Sequence, residues 1–282
     1  MSESIVLIKS IQGILAKIGY SVDKKLGTLG IETKTAIKAF QQEKNLQIDG
    51  LPSESLLILL QRELKENPPK INYSKFVITK TGSGLKINDQ GYIITNHHVI
   101  EKCKHITIGR RIPLVIQRSD SLNDISLLKS VSLNKNIKSL SFSKIDPELG
   151  EKVFVAGYPF NYLLGEINFT SGNVSSEVGL GQNVSQFQLT APIQPGNSGG
   201  PIFNEFGHVL GIAVQRLDSD YVKELTGSVP QNINFGIKQS VIRKLLDQAE
   251  VNFSVGSQMF NTTQKKIATL ARKGTVLISC WE

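Results

Sequence analysis

The stretch Gln194-Pro195-Gly196-Asn197-Ser198-Gly199-Gly200-Pro201-Ile202-Phe203 decides how this chain reads. Three glycines and two prolines surround one serine, too broken for a helix and too constrained for a linker. A serine hydroxyl is a poor nucleophile unless a base takes its proton and nearby donors stabilise the oxyanion that forms. The glycines can supply the donors, because they let successive backbone N–H groups turn into one concavity. On this reading the N–H groups of Gly196 and Ser198 face the developing charge.

The base must come from elsewhere. "YIITNHHVI" sets His97 and His98 just beyond a short apolar strand, with Val99 and Ile100 to anchor the segment in the core. A histidine held at a strand end with its ring facing a cleft is suited to proton transfer. His105 lies in the alternating run "HITIG" and His208 at a hairpin turn, and both read as surface histidines. An orienting carboxylate could be Asp120, Asp124 or Asp146. "NDISLLKS" puts Asp124 at the mouth of an apolar strand, where its backbone is fixed and its carboxylate shielded, and it is the preferred candidate.

The surrounding sequence divides in two. Ile5, Leu7, Ile8, Ile11, Ile14, Leu15 and Ile18 form one helical stripe that Gly19-Tyr20 ends. "GIETKTAI" from Gly30 and "GLPSESLL" from Gly50 then repeat a pattern of glycine, apolar residue and a hydroxyl residue placed as a helix N-cap. Ala36, Ile37 and Phe40 line the second predicted helix, and Leu56, Leu57, Leu59 and Leu60 the third. "RELKENPPKINYS", with a double proline that cannot continue a helix, reads as a linker over 66–74. Beyond it "FVITK", "GYIIT", "HITIG", "PLVIQ", "KVFVAGY", "FQLTAPI" and "HVLGIAVQ" are short, β-branched and punctuated, which suits an all-β barrel. "SVIRKLLDQAE" near Ser240 returns to helical spacing and is expected to pack on the barrel.

Composition bounds the partners. The chain has 282 residues and a formal net charge of +8, but its basic residues are scattered without interleaved aromatics, so nucleic acid is not an expected partner. No apolar run approaches a membrane span, and no basic, apolar leader opens the chain, which predicts a cytoplasmic protein unless it reaches the cell envelope by an unconventional route. Cys103 and Cys280 offer neither a disulfide framework nor a zinc set, and read as buried or idle thiols. No metal and no other cofactor is expected.

Two resemblances follow from these residues. The "AIKAFQ...L..DG" phrase, between a GY and a leucine-rich helix, resembles the three-helix peptidoglycan-binding-like domain of bacterial wall proteins, over 1–65. Residues 75–250 resemble a chymotrypsin-fold serine protease of the bacterial HtrA, DegP-like branch, on "GSGLKINDQGYIITNHHVI", "NDISLLK", "VAGYPF" with "TSGNVSS", "QLTAPIQPGNSGGPIFNEFGHVLGIAV" and "INFGIKQSVIRKLL". The implied fold class is multidomain: an all-α three-helix domain, then an all-β double barrel with a C-terminal helix. The resemblance implies a serine endopeptidase acting on proteins or peptides, with His98 as base, Asp124 as orienting acid, Ser198 as nucleophile, and the Gly196 and Ser198 amides as oxyanion hole. It places Ile193, Ala213 and Phe235 near the first specificity pocket.

Asn197 stands where digestive trypsins carry an aspartate, which removes activation by a freed amino terminus, and the polar insert "RLDSDYVKELTGSVPQN" is the expected gate of the hole. The stretch 251–282 is too short for the family's PDZ module and is expected as a docked tail. A second reading is a peptidoglycan-associated binding protein whose barrel is a weakly active or inactive scaffold, and a third is a peptidase that cuts its own linker near Pro68-Pro69 or its own tail. Neither oligomeric state nor activating signal is legible.

Overall fold

A computed structural model describes residues 3–18, 20–66, 76–110, 112–130, 137–214, 233–256 and 262–282. The chain divides into two compact units, Met1–Tyr73 and Ser74–Glu282. Most of the predicted linker and the polar insert 216–232 lie outside the described residues.

The first unit holds three helices: α1 (Glu3–Lys17), α2 (Ile31–Glu43) and α3 (Glu54–Glu66). Ile11, Leu15, Ala36, Ile37, Phe40, Leu56 and Leu60 form its core, as the 3.6-residue spacing requires. Leu57 packs at the margin and Leu59 lies on the exposed side, so the third stripe is narrower than its leucine content suggests. Ser53 caps α3, its hydroxyl accepting from the Leu56 N–H at 3.1 Å. The matching Thr33 lies inside the first turn of α2 instead, buried against the Gln12 side chain at 3.0 Å. The "FQ...DG" phrase has a local cause: the Gln41 amide oxygen accepts the Gly50 N–H at 2.9 Å, holding the turn before α3. Gln12 does the same for the Gly27 N–H at 2.7 Å.

The second unit is built of two closed six-stranded barrels. Its strands are β1 (Ile78–Lys86), β2 (Tyr92–Thr95), β3 (His105–Ile108), β4 (Ile112–Asp120), β5 (Ile125–Ser130), β6 (Lys152–Gly157), β7 (Asn168–Ser176), β8 (Gln186–Leu189), β9 (Pro201–Phe203), β10 (Val209–Val214), β11 (Asn234–Lys238) and β12 (Thr275–Trp281). The first barrel runs β1-β12-β3-β4-β5-β2 and the second β10-β11-β8-β7-β6-β9, with antiparallel neighbours throughout. Two one-turn helices, α4 (His97–Ile100) and α5 (Asn161–Leu164), lie at strand ends. The predicted helix is α6 (Gln239–Gln248), which buries Ile242, Leu245 and Leu246.

The described residues of 251–282, expected as a docked tail, are part of the fold. They form α7 (Gln264–Gly274) and then β12, which pairs with β1 on one side and β3 on the other. The first barrel is thus closed by the C-terminal strand, which leaves β1 and β3 no open edge. The two cysteines, read as idle thiols, are joined: Cys103, just after α4, is disulfide-bonded to Cys280 in β12, with Cα atoms 5.2 Å apart. They are 177 residues apart along the chain, so spacing carried no sign of the pairing.

Candidate active site

Strand β2 delivers its chain to Asn96, and α4 follows at once, with Val99 and Ile100 buried beneath it. That single turn is tied to the β4–β5 connection from three directions. The Asp124 carbonyl accepts the Asn96 side-chain amide at 2.9 Å and the His97 N–H at 3.1 Å. The Asp124 carboxylate accepts the His98 N–H on Oδ1 at 2.9 Å and faces His98 Nδ1 with Oδ2 at 2.8 Å. Asp124 is 1% exposed and holds a left-handed backbone, φ 55°, a conformation aspartate tolerates better than most residues. With Nδ1–H directed at a buried carboxylate, Nε2 is the nitrogen left to accept a proton.

The remaining candidates fall elsewhere. His97 Nδ1 lies 3.4 Å from Ser126 Oγ. His105 pairs in β3 opposite Trp281 and meets the Phe76 ring edge-on, 4.5 Å between centroids. His208 lies at the β9–β10 turn. The Asp120 carboxylate caps its own turn through the Asn123 N–H, and Asp146 accepts from Gln239 and Ser240 at the start of α6.

Ser198 lies just before β9 and is 5% exposed. Its loop carries a distinctive set of backbone bonds. The Asn197, Gly199 and Gly200 N–H groups donate to the carbonyls of Gln194, Ala213 and Asn197. Among the described residues the Gly196 and Ser198 N–H groups donate to no protein acceptor. Gly196 has φ 102°, and a Cβ there would collide with the Tyr158 carbonyl, so only glycine fits. The neighbouring Pro195 carbonyl is engaged by the Phe160 N–H at 2.9 Å. Asn197 is buried with its side-chain oxygen unpartnered, and it packs over the site where Gly157 lacks a side chain.

His98 and Ser198 open into one cavity of about 570 Å³, lined also by Lys80, Thr81, Val99, Phe160, Pro195 and Gly196. Among the described residues no hydrogen bond joins the Ser198 hydroxyl to the His98 ring, a contact that often tightens only with substrate bound. Ile193, Ala213 and Phe235 do not line this cavity. Ile193 and Ala213 lie in one apolar cluster of the second barrel and Phe235 in another, each 6% exposed or less. The resemblance places these three near the first specificity pocket, and a buried core residue and a pocket wall look alike in sequence. Phe160 and Lys80 line the cavity and Ser83 bonds to Gly196, though no motif assigns these three a role. Ser83 stood inside the quoted "GSGLK" phrase without a role.

Two six-stranded barrels with a serine, a histidine and a buried aspartate converging between them define a chymotrypsin-fold serine peptidase domain. Comparison with known proteins gives the same class. Residues 82–212 match the trypsin-like peptidase domain, and residues 6–65 match the family described as "Putative peptidoglycan binding domain". The chain is 34% identical over 211 residues to the uncharacterized protein y4bJ of Sinorhizobium fredii, covering 73% of this chain and 33% of that one. It is 31% identical over 186 residues to the serine endoprotease DegS of Escherichia coli, covering 63% and 50%. A crystal structure of the serine endoprotease from Yersinia pestis superposes with a TM-score of 0.50 at 29% identity, covering 61% of this chain and 58% of that one. This chain is thus similar to HtrA-like, chymotrypsin-fold serine peptidases over its barrel unit and to a peptidoglycan-binding domain over its helical unit. It spans half or less of the length of these curated relatives.

Proposed function

We propose that this chain is a serine endopeptidase that hydrolyses peptide bonds in proteins through an acyl-enzyme. The observation that carries the reading is the 2.8 Å contact of His98 Nδ1 with the buried Asp124 carboxylate, at a cavity that His98 shares with Ser198 and Gly196. In the reaction His98 Nε2 takes the Ser198 proton as Oγ attacks the substrate carbonyl carbon. The proton then passes to the leaving amine, and water repeats the sequence to release the acid. Asp124 fixes the imidazole tautomer and stabilises the imidazolium. The spare Gly196 and Ser198 N–H groups are the donors for the oxyanion.

The test compares wild type with Ser198→Ala on casein and on a fluorophosphonate probe. Wild type should digest casein and label once, at Ser198, while the variant does neither. A folded wild type that is as inert as Ser198→Ala would refute the reading. The scaffold alternative has less support, since an inactive barrel has no need of a base, an orienting acid and two idle amides together.

The N-terminal unit is proposed to hold the enzyme to peptidoglycan, on its match to that domain family. Co-sedimentation of the full chain with cell-wall sacculi tests this, and recovery entirely in the supernatant would overturn it. The Cys103–Cys280 disulfide supports work in an oxidising compartment such as the cell envelope, against the cytoplasmic expectation. No helix among the described residues is long and apolar enough to cross a membrane.

A further inference from the structure

Ser83 belongs to β1 of the first barrel and has no exposed surface, yet it bonds to the second barrel on both sides of the nucleophile. Its N–H donates to the Ser198 carbonyl at 2.8 Å. Its hydroxyl donates to the Gly196 carbonyl at 2.7 Å and accepts the Tyr158 N–H at 2.9 Å. Because the Tyr158 N–H can only donate, the single Ser83 hydroxyl proton must point at the Gly196 carbonyl. Its own carbonyl is held in turn by Thr95 Oγ1 at 2.7 Å, so the serine is fixed from its own barrel.

These bonds lie on either side of Gly196, whose backbone has no Cβ to restrict it. The Gly196 N–H belongs to the Pro195–Gly196 peptide and the Ser198 N–H to the Asn197–Ser198 peptide. Between them lies the Gly196–Asn197 peptide, whose carbonyl is held by Ser83 and whose N–H is held by Gln194. Glycine rotates about its backbone bonds at small cost, so the peptide planes around Gly196 need an outside restraint. The Pro195 plane has one in the Phe160 N–H, and the chain leading to Phe160 is itself anchored by the Ser83 hydroxyl through Tyr158. One hydroxyl therefore restrains the peptide planes on both sides of Gly196.

We propose that Ser83 is a positioning residue for the oxyanion hole, its hydroxyl carrying the first barrel's rigidity into the Gly196–Asn197 peptide and so aiming the Gly196 N–H. The proposal rests on the peptidase reading above. Ser83 touches neither substrate nor the reacting atoms, and acts through Gly196.

The experiment measures Ser83→Ala against wild type with a peptide substrate, a peptide aldehyde whose hemiacetal oxygen occupies the hole, and the matching peptide amide, which forms no oxyanion. Removing a hole donor outright costs about 100- to 1,000-fold in kcat, so misaiming one should cost roughly 10- to 100-fold. The expected result is that fall in kcat with KM within about threefold, aldehyde affinity reduced by a similar factor, amide affinity unchanged, and an unshifted pH profile because the His98–Asp124 pair is untouched. A folded Ser83→Ala with wild-type kcat, or one whose KM rises while kcat holds, overturns the proposal. Should Ser83→Ala not fold, Ser83→Cys, nearly the same size and a weaker donor, is read in its place, and wild-type turnover there overturns it equally. A folded wild type that neither labels with fluorophosphonate nor turns over removes the peptidase reading instead, and this proposal with it.

Discussion

Removing the Cys103–Cys280 bond tests how far the C-terminal strand is needed by the unit that holds the site. The bond ties β12 to the connection just beyond α4, the turn that carries His98. It closes a loop with a sequence separation of 177. In the chain-entropy account a cross-link of that span restricts the unfolded ensemble by about 5 kcal/mol at 25 °C, and measured values for native disulfides run at about 2–5 kcal/mol. For a domain of this size each kcal/mol moves Tm by about 2–4 °C. Cys103→Ser/Cys280→Ser should therefore lower the transition of the barrel unit by roughly 4 to 20 °C. Differential scanning calorimetry with and without reductant measures it: wild type in reductant should approach the double variant, and the variant should be insensitive to reductant. Mass spectrometry after iodoacetamide, without reductant, should show wild type unmodified. A double variant melting within 2 °C of wild type, or two thiols alkylated in the native oxidised protein, would refute the reasoning.

Two further outcomes are expected. Gly196→Ala puts a side chain against the Tyr158 carbonyl at a left-handed backbone, so the loop must turn and kcat should fall about 100-fold or more, read by initial rates beside near-UV circular dichroism to verify the fold. An active Gly196→Ala would show that the hole does not depend on this conformation. Burial pushes the His208 imidazole below its ordinary value, so the unfolded chain binds that proton more readily than the folded one. Stability is full above about pH 6.5 and is lost as pH falls toward the lowered folded value. Thermal melts at pH 7.5 and 5.5 should therefore show a smaller acid-side loss of Tm for His208→Gln than for wild type; equal losses would exclude this contribution.

Much of the second unit was legible because its signals are local. The run from Gln194 to Phe203 names its serine, and alternating β-branched strands with turn residues point to barrels. Asp124 could be preferred over Asp120 and Asp146 because only it opens an apolar strand, and the structure accounts for the other two as a turn cap and a helix-start acceptor. Choosing His98 over His97 needed a motif, since adjacent residues after a strand have nearly the same local pattern. For Ile193, Ala213 and Phe235 the local pattern says only that they are buried, because burial gives a residue the same apolar signature whether or not it borders a cavity.

Outside the Ser198, His98 and Asp124 motifs, the contacts that join distant segments escaped the sequence. β12 reads as one more alternating run, and nothing within it says that it slots between β1 and β3. The two cysteines meet only because that strand lies beside the connection after α4. Ser83 is an ordinary small residue in its strand until the barrels pack and its hydroxyl finds the Gly196 carbonyl. The chain's local order determined which residue could attack, which kinds of group could help it, and that both belong to a β-fold. Only the tertiary structure decided what closes the first barrel, that the two cysteines meet, and which groups hold the peptides around Gly196. Local chemistry is written in neighbouring residues, whereas a hydrogen bond between strands exists only once the backbone has brought them together.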